Sequence, residues 1–188
     1  HNKEGDLSFL KVFCNQNNIH LHVPEMIKHE DNTISSSLIR SLILDGNSNK
    51  VYDLLGRFYG FEAKIVSGSN RGKTMNYPTA NFIPIFENQL LPSSGVYLSR
   101  VFLDGETYFG MTNAGVRPTF NEKKFVMEVH ILSDKFGNLY DKNFYIEFLD
   151  KIRDEKKFDN MELLIKQIEK DKEVCIKLID TFKEKYEI

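Results

Sequence analysis

The sequence has no tryptophan and only two cysteines. Cys14 and Cys175 stand near opposite ends of the chain and match no C-x-x-C spacing, which excludes a zinc ribbon or a dithiol redox centre. Both are expected as small core residues in a reducing, cytoplasmic setting. No apolar run approaches the ~20 residues of a membrane span, and nothing resembles a signal peptide. Neither sign of charge dominates: 25 Lys+Arg stand against 27 Asp+Glu, a net −2. That balance argues against a general nucleic-acid binder, which needs a basic surface to release counterions. No nucleic-acid or membrane partner is therefore expected. The chain starts at His1 without an initiating Met, and an upstream part is expected to be missing from it.

What is present is a globular composition, with 41% apolar and 28% charged residues. Phenylalanine, at 15 copies, is expected to build the core. Up to about Arg57 the chain reads as helix and short strand. Leu7, Leu10 and Phe13 recur at helical spacing, and Ile19 to Val23 alternate like a short strand ended by Pro24. Ser35, Ser36 and Ser37 precede the apolar face of Leu38, Ile39, Leu42 and Ile43, a helix stopped at Gly46. Val51, Leu54 and Leu55 form one more helical pattern closed by Gly56.

From Tyr59 the texture changes to strands. Gly95–Leu103 reads as a strand, Asp104-Gly105 as a hairpin turn, and Thr107–Met111 as the return. Phe125–Leu132 and Phe144–Leu149 follow, joined through a Gly137-Asn138 turn, and Glu147 is expected on the surface. Short strands with turn signals at this density predict an antiparallel barrel. Leu164, Ile168, Cys175, Ile179, Phe182 and Tyr186 trace one face of a C-terminal helix that should pack on it, with Asp159 and Glu162 as its capping pair.

Several segments carry chemistry. Gly68-Ser-Asn-Arg-Gly72-Lys73-Thr74 has three residues between its glycines where a P-loop needs four, and Pro78 forbids the helix a P-loop opens. Its backbone N–H groups and Lys73 suit a phosphate cradle; alone, the segment reads equally as a flexible basic surface loop. Thr79 and Asn81 lie two residues apart, on one side of an extended chain. Two neutral oxygens so placed suit Mg²⁺ held mainly by phosphates and water, and a simple Thr/Asn turn is the bland alternative. Glu128 shares a strand face with Val126, His130 and Leu132, and a carboxylate on a partly apolar face can serve as a general base. Asn113–Phe120 reads as a polar loop after a strand, where functional residues concentrate. Arg153 is the exception in a solvated charge run before the last helix.

Taken in order, Gly68…Gly72-Lys73, Pro78-Thr-Ala-Asn81, Gly95-Val-Tyr97, Asn113–Phe120, Glu128-Val-His130, Leu139-Tyr140 and Arg153-Asp-Glu-Lys-Lys-Phe158 resemble the riboflavin kinase module. The resemblance covers about Tyr59 to the C-terminus. Ile34-Ser-Ser-Ser-Leu-Ile-Arg40 is similar to the second nucleotide-binding motif of the FMN adenylyltransferase module that precedes this kinase in bacterial bifunctional enzymes. It supplies Ser35, Ser36, Ser37 and Arg40, with Ser37 where Thr is usual, and the H-x-G-H motif of that module is not in this chain.

The resemblance implies an α+β chain in two parts. Residues 1–57 would be the C-terminal part of a Rossmann-like adenylyltransferase domain, mostly helical. Residues 58–188 would be the kinase, a six-stranded antiparallel Greek-key barrel with a C-terminal helix. It implies transfer of the γ-phosphate of ATP to the ribityl 5′-hydroxyl of riboflavin, giving FMN and ADP. Glu128 would take the proton, and Thr79 and Asn81 would hold Mg²⁺. Gly68, Gly72, Lys73 and Pro78 would shape the ATP site. Asn113, Arg117 and Thr119 would form a flap, and Arg153 would help close the flavin site. An intact protein would also make FAD. Asn76, the Ser133-Asp134 stretch and Asp141 depart from the usual pattern and touch loop geometry rather than the reaction. Two other readings stay open: an inactive flavin- or nucleotide-binding module, and a barrel that binds RNA or protein.

Overall fold

The structure, a computed structural model, describes residues 6–30, 32–68, 77–118, 123–133 and 142–186. Two compact units divide the chain, His1–Ile34 and Ser35–Ile188.

In the first unit, helix α1 (Leu7–Gln16) starts at Asp6, whose carboxylate accepts from the Phe9 amide at 2.8 Å. Cys14 is its buried residue. The strand expected at Ile19–Val23 does not form. Alternation alone cannot satisfy a strand's backbone, and no described segment pairs with this one. The pairing in this unit is instead a two-residue ladder, β1 (Lys28–His29) with β2 (Asn32–Thr33).

The second unit opens with α2 (Ser36–Leu44), where the Ser35 hydroxyl accepts from the Leu38 amide at 3.2 Å. Helix α3 (Ser48–Leu55) buries Val51 and ends at Gly56, whose φ of 67° is the left-handed cap the sequence called for. Six strands then close a barrel: β3 (Tyr59–Val66), β4 (Ala80–Pro84), β5 (Gly95–Leu103), β6 (Glu106–Pro118), β7 (Lys123–Ile131) and β8 (Asn143–Arg153). Their order is β3-β4-β7-β6-β5-β8, every pair antiparallel. The run β8-β5-β6-β7 is the Greek-key arrangement, three hairpin-connected strands with the fourth returned beside the first. Asp104 and Gly105, at φ 53° and 83°, make the β5–β6 turn. The Gly137-Asn138 turn lies outside the described residues.

Strand β6 runs farther than its composition suggests. Asn113–Pro118, read above as a loop, pairs with Lys123–Glu128 across β7. The segment keeps strand alternation: Ala114 points into the barrel and is fully buried, while Asn113 points out. Its polarity marks what the outer face borders, not the end of the strand.

Two apolar layers hold this unit together. Phe61, Ile65, Phe82, Tyr97, Ile146 and Phe148 fill the barrel. A second layer lies between its outer face and α4 (Met161–Tyr186), joining Phe58, Val96, Leu98 and Leu149 to Cys175 and Phe182. Burial pushes the Cys175 thiol up to about 12, the behaviour of a core residue. Asn160, not Asp159, caps α4, its Oδ1 accepting from the Leu163 amide at 2.9 Å. Glu147 is buried rather than on the surface. Its Oε2 accepts from Arg100 Nε and Nη2 at 2.8 and 2.6 Å. Among the described residues no helix is long and apolar enough to cross a membrane.

Candidate active site

One cross-strand row organises the outer face of the barrel. Val66 of β3 lies opposite Asn81 of β4, and Asn81 opposite Glu128 of β7. Glu128 lies opposite Asn113 of β6, Asn113 opposite Val96 of β5, and Val96 opposite Arg153 of β8. Directly opposed residues turn their side chains to the same face. The chain neighbours Ile65, Phe82, Met127, Ala114 and Tyr97 fill the interior, so the row faces out. Four side chains singled out in the sequence, from positions 81, 113, 128 and 153, thus share one level across a rigid sheet.

Thr79, just before β4, joins the row. Its hydroxyl donates to Glu128 Oε2 at 3.1 Å. The preceding Pro78 carbonyl accepts from His130 Nδ1 at 2.9 Å, which pins the turn that carries Thr79. His130 is buried, with the Tyr77 ring edge-on at 5.4 Å. Burial lowers its pKa; the Pro78 carbonyl opposes that shift and nearby Lys172 adds to it. Neutral His130 is thus a fixed donor to Pro78. Gly68 abuts the Asn81 carboxamide so closely that a Cβ there would collide with it.

At the other end of the row, the Arg153 guanidinium sets Nε and Nη2 on the Asp171 carboxylate at 2.8 to 3.0 Å. Nη1 donates to the Asp154 carbonyl at 3.0 Å, and the Phe158 ring centre lies 5.8 Å from the guanidinium carbon. Gln167 Nε2 donates to Asp171 Oδ1 at 2.8 Å.

A cavity of about 250 Å³ lies between this face, the segment after β8, and the first half of α4. Thr79, Asn113, Glu128 and Arg153 line it. Asn81 adjoins Glu128 in register without lining the cavity, and Pro78 is an exposed turn residue. Arg117 stands opposite Lys124 near the end of β6. Gly72, Lys73 and Thr119 lie outside the described residues. Ser35, Ser36, Ser37 and Arg40 belong to the start of α2 and do not line the cavity.

The sequence reading missed Asp171, His130 and Tyr77 as cavity residues. Asp171 carried a legible signal: it falls between Ile168 and Cys175 on the apolar stripe of α4, where a carboxylate needs a buried partner.

The chemistry such a face can perform follows from its donor set. Glu128 is a carboxylate at the edge of a partly apolar cavity, placed to take a proton. The Thr79 hydroxyl and Asn81 carboxamide offer hard, neutral oxygens. Among the described residues no cluster of three His, Cys, Asp or Glu could hold a metal ion. The hydroxyl at 79 and the carboxamide at 81 are donor types that suit Mg²⁺ taking most of its oxygens from phosphates and water.

Comparison with known proteins gives consistent matches. Residues 55–179 match the family model for riboflavin kinase (Flavokinase). The bifunctional riboflavin kinase/FMN adenylyltransferase of Bacillus subtilis (strain 168) is 35% identical over 156 residues, 81% of this chain and 49% of that protein. The protein of the same name from Haemophilus influenzae is 38% identical over 143 residues, 76% of this chain and 46% of its own length. The chain spans about half the length of the curated relatives it matches. A crystal structure named as a macrolide-efflux protein from Streptococcus pneumoniae superposes with a TM-score of 0.78 at 32% identity, covering 88% of this chain and 54% of that one.

Proposed function

Because this chain belongs to the riboflavin kinase family, we propose that it phosphorylates riboflavin at the ribityl 5′-hydroxyl, using ATP and releasing ADP. The observation that supports this most is the row from Asn81 through Glu128 and Asn113 to Arg153 beside the cavity. It gathers a base, a pair of metal-type oxygens and a substrate wall on one sheet.

Phosphoryl transfer rests on positioning and charge neutralisation more than on covalent catalysis. Glu128 takes the proton from the 5′-hydroxyl as its oxygen bonds to the γ-phosphorus and the bond to the β–γ bridging oxygen breaks. Thr79 donates to Glu128 Oε2, which helps hold the carboxylate in place. Thr79 and Asn81 would hold Mg²⁺, which offsets the charge of the phosphates when bound. Gly68 fits against Asn81 and, with Gly72, Lys73 and Pro78, forms the ATP side. Arg117 and Thr119 are left for the flap, whereas Asn113, paired to β5 and β7, belongs to the fixed wall of the cavity. Arg153 faces the flavin. Closing loops of this kind keep water from the phosphoryl group.

Residues 1–57 are proposed as the end of a Rossmann-like adenylyltransferase domain and 58–188 as the kinase domain, with α2 and α3 inside the same compact unit as the barrel. On this reading the intact protein also adenylylates FMN to FAD in the cytoplasm.

The test is incubation with riboflavin and Mg-ATP, followed by separation of riboflavin, FMN and FAD. FMN without FAD is the expected result for this chain. Riboflavin bound with no FMN formed would favour an inactive binding module.

A further inference from the structure

The mechanism above leaves unexplained why a nearly inaccessible carboxylate stands in the wall of the cavity. The Asp171 side chain is only 4% exposed, against 22% for its partner Arg153. An acid this deep on a helix is costly unless it is fully engaged. Here both oxygens are occupied, by Arg153 Nε and Nη2 on one side and Gln167 Nε2 on the other.

The geometry of that engagement decides what Arg153 can still do. A guanidinium has five N–H donors in a fixed fork. Asp171 takes the side-on pair, Nε and one hydrogen of Nη2, and the Asp154 carbonyl takes one hydrogen of Nη1. One N–H on each terminal nitrogen is left. Lacking the Asp171 contact, a long Arg side chain would sample several rotamers at the cost of any fixed donor pair.

Charge narrows the ligand those two donors suit. The cavity wall carries three carboxylates, Glu128, Glu155 and Asp171, against the two cations Arg153 and Lys156. Asp171 offsets the charge of Arg153 at 2.8 Å. At the Arg153 end of that wall the paired charges leave no cationic surplus to draw a phosphate, which suits a neutral, planar acceptor. Val96, Met111, Leu164, Ile168 and Phe158 complete an apolar lining for a ring.

We propose that Asp171 is a positioning residue for riboflavin: it holds Arg153 so that its two remaining N–H donors meet the flavin, and it removes the positive charge that would draw phosphate there. Gln167 braces Asp171 in turn. The inference rests on the riboflavin kinase reading for the identity of the ligand.

The experiment is a double-mutant cycle read by quenching of riboflavin fluorescence, with Mg-ATP constants measured in parallel. Asp171→Asn should raise the riboflavin Kd by roughly tenfold without weakening Mg-ATP binding, the scale expected when one partner of a coupled pair is altered. In an Arg153→Gln background the same substitution should have no further effect on Kd. An Asp171→Asn protein that melts earlier but binds riboflavin normally overturns the proposal, leaving Asp171 a strut between helix and barrel. A weakened Mg-ATP constant with riboflavin unchanged overturns it as well. If Asp171→Asn does not fold, Gln167→Ala carries the test: a two- to threefold rise in riboflavin Kd supports the role, and no change refutes it. Wild-type protein that binds riboflavin without forming FMN would refute the kinase reading alone, whereas failure to bind riboflavin would refute both.

Discussion

Asn81 and Glu128 are direct cross-strand partners, although 46 intervening residues separate them and their strands are not consecutive in the chain. The pairing puts the proposed metal-side carboxamide next to the proposed base on rigid backbone. Asn113 stands opposite Glu128 on the far side, so both flanks of that carboxylate are fixed by the sheet.

Glu128→Ala should therefore separate binding from chemistry. The side chain is lost from a sheet whose neighbours keep their register. Turnover to FMN is expected to fall by roughly 10²-fold or more, the usual weight of a general base, with riboflavin binding largely retained. Turnover within a few-fold of wild type would remove Glu128 from the mechanism.

Gly68→Ala tests the ATP side by a steric route. The added Cβ would meet the Asn81 carboxamide, and either that side chain or the Gly68 backbone must move. A displacement near 1 Å in a positioned group can cost about 10²-fold in rate. The expected outcome is a raised Mg-ATP KM and lowered kcat with little change in melting temperature, since Gly68 lies beyond the end of β3. Unchanged steady-state constants would show that the close packing of Gly68 on Asn81 has no part in the ATP site.

Much of the barrel was legible because its signals are local. Asp104-Gly105 between two alternating runs specifies a hairpin, and Phe144, Ile146 and Phe148 declare an inward face. The helix stripe ending at Tyr186 is equally local. What stayed hidden depends on pairing at a distance. No pattern in Asn113–Pro118 announces that β7 will pair along its whole length while β5 reaches Asn113 and Ala114, so polar residues there read as loop. The surface assignment of Glu147 failed for the same reason, since Arg100 reaches it only once β5 and β8 are adjacent. The site residues at 79, 113, 128 and 153 could be picked out by type, but their convergence is a property of strand register.

Glu147 yields a stability prediction of its own. Arg100 and Glu147 are cross-strand partners whose side chains are 14% and 12% exposed, and Gly60 leaves the room that the Glu147 stem occupies. Removing one member leaves a nearly buried charge uncompensated, which typically costs about 3 to 5 kcal/mol. Glu147→Ala should lower stability by about 3 kcal/mol in denaturant titration. The double substitution Arg100→Met with Glu147→Leu should recover most of that loss, because an apolar pair of similar volume needs no compensation. A double variant as unstable as the single one would mean that the ion pair itself, not the stranded charge, carries the stability.

His130 sets a pH dependence whose direction follows from its surroundings. Burial holds its pKa below the ordinary histidine value, against the opposing pull of the Pro78 carbonyl. The unfolded chain therefore binds a proton at this position more readily than the folded one, and stability rises with pH across the interval between the two values. Acidification should begin to destabilise the protein as pH falls through about 6.5, the unfolded value, and the loss should level off below the lowered folded value. His130 Nδ1 donates to the Pro78 carbonyl in either protonation state, so the cost of protonation is that of burying a charge and not of losing this bond. Melting temperature followed from pH 7.5 to 5.5 should drop more steeply for wild type than for His130→Gln, which keeps a donor but does not titrate. Parallel curves for the two proteins would show that His130 has the same proton affinity folded and unfolded.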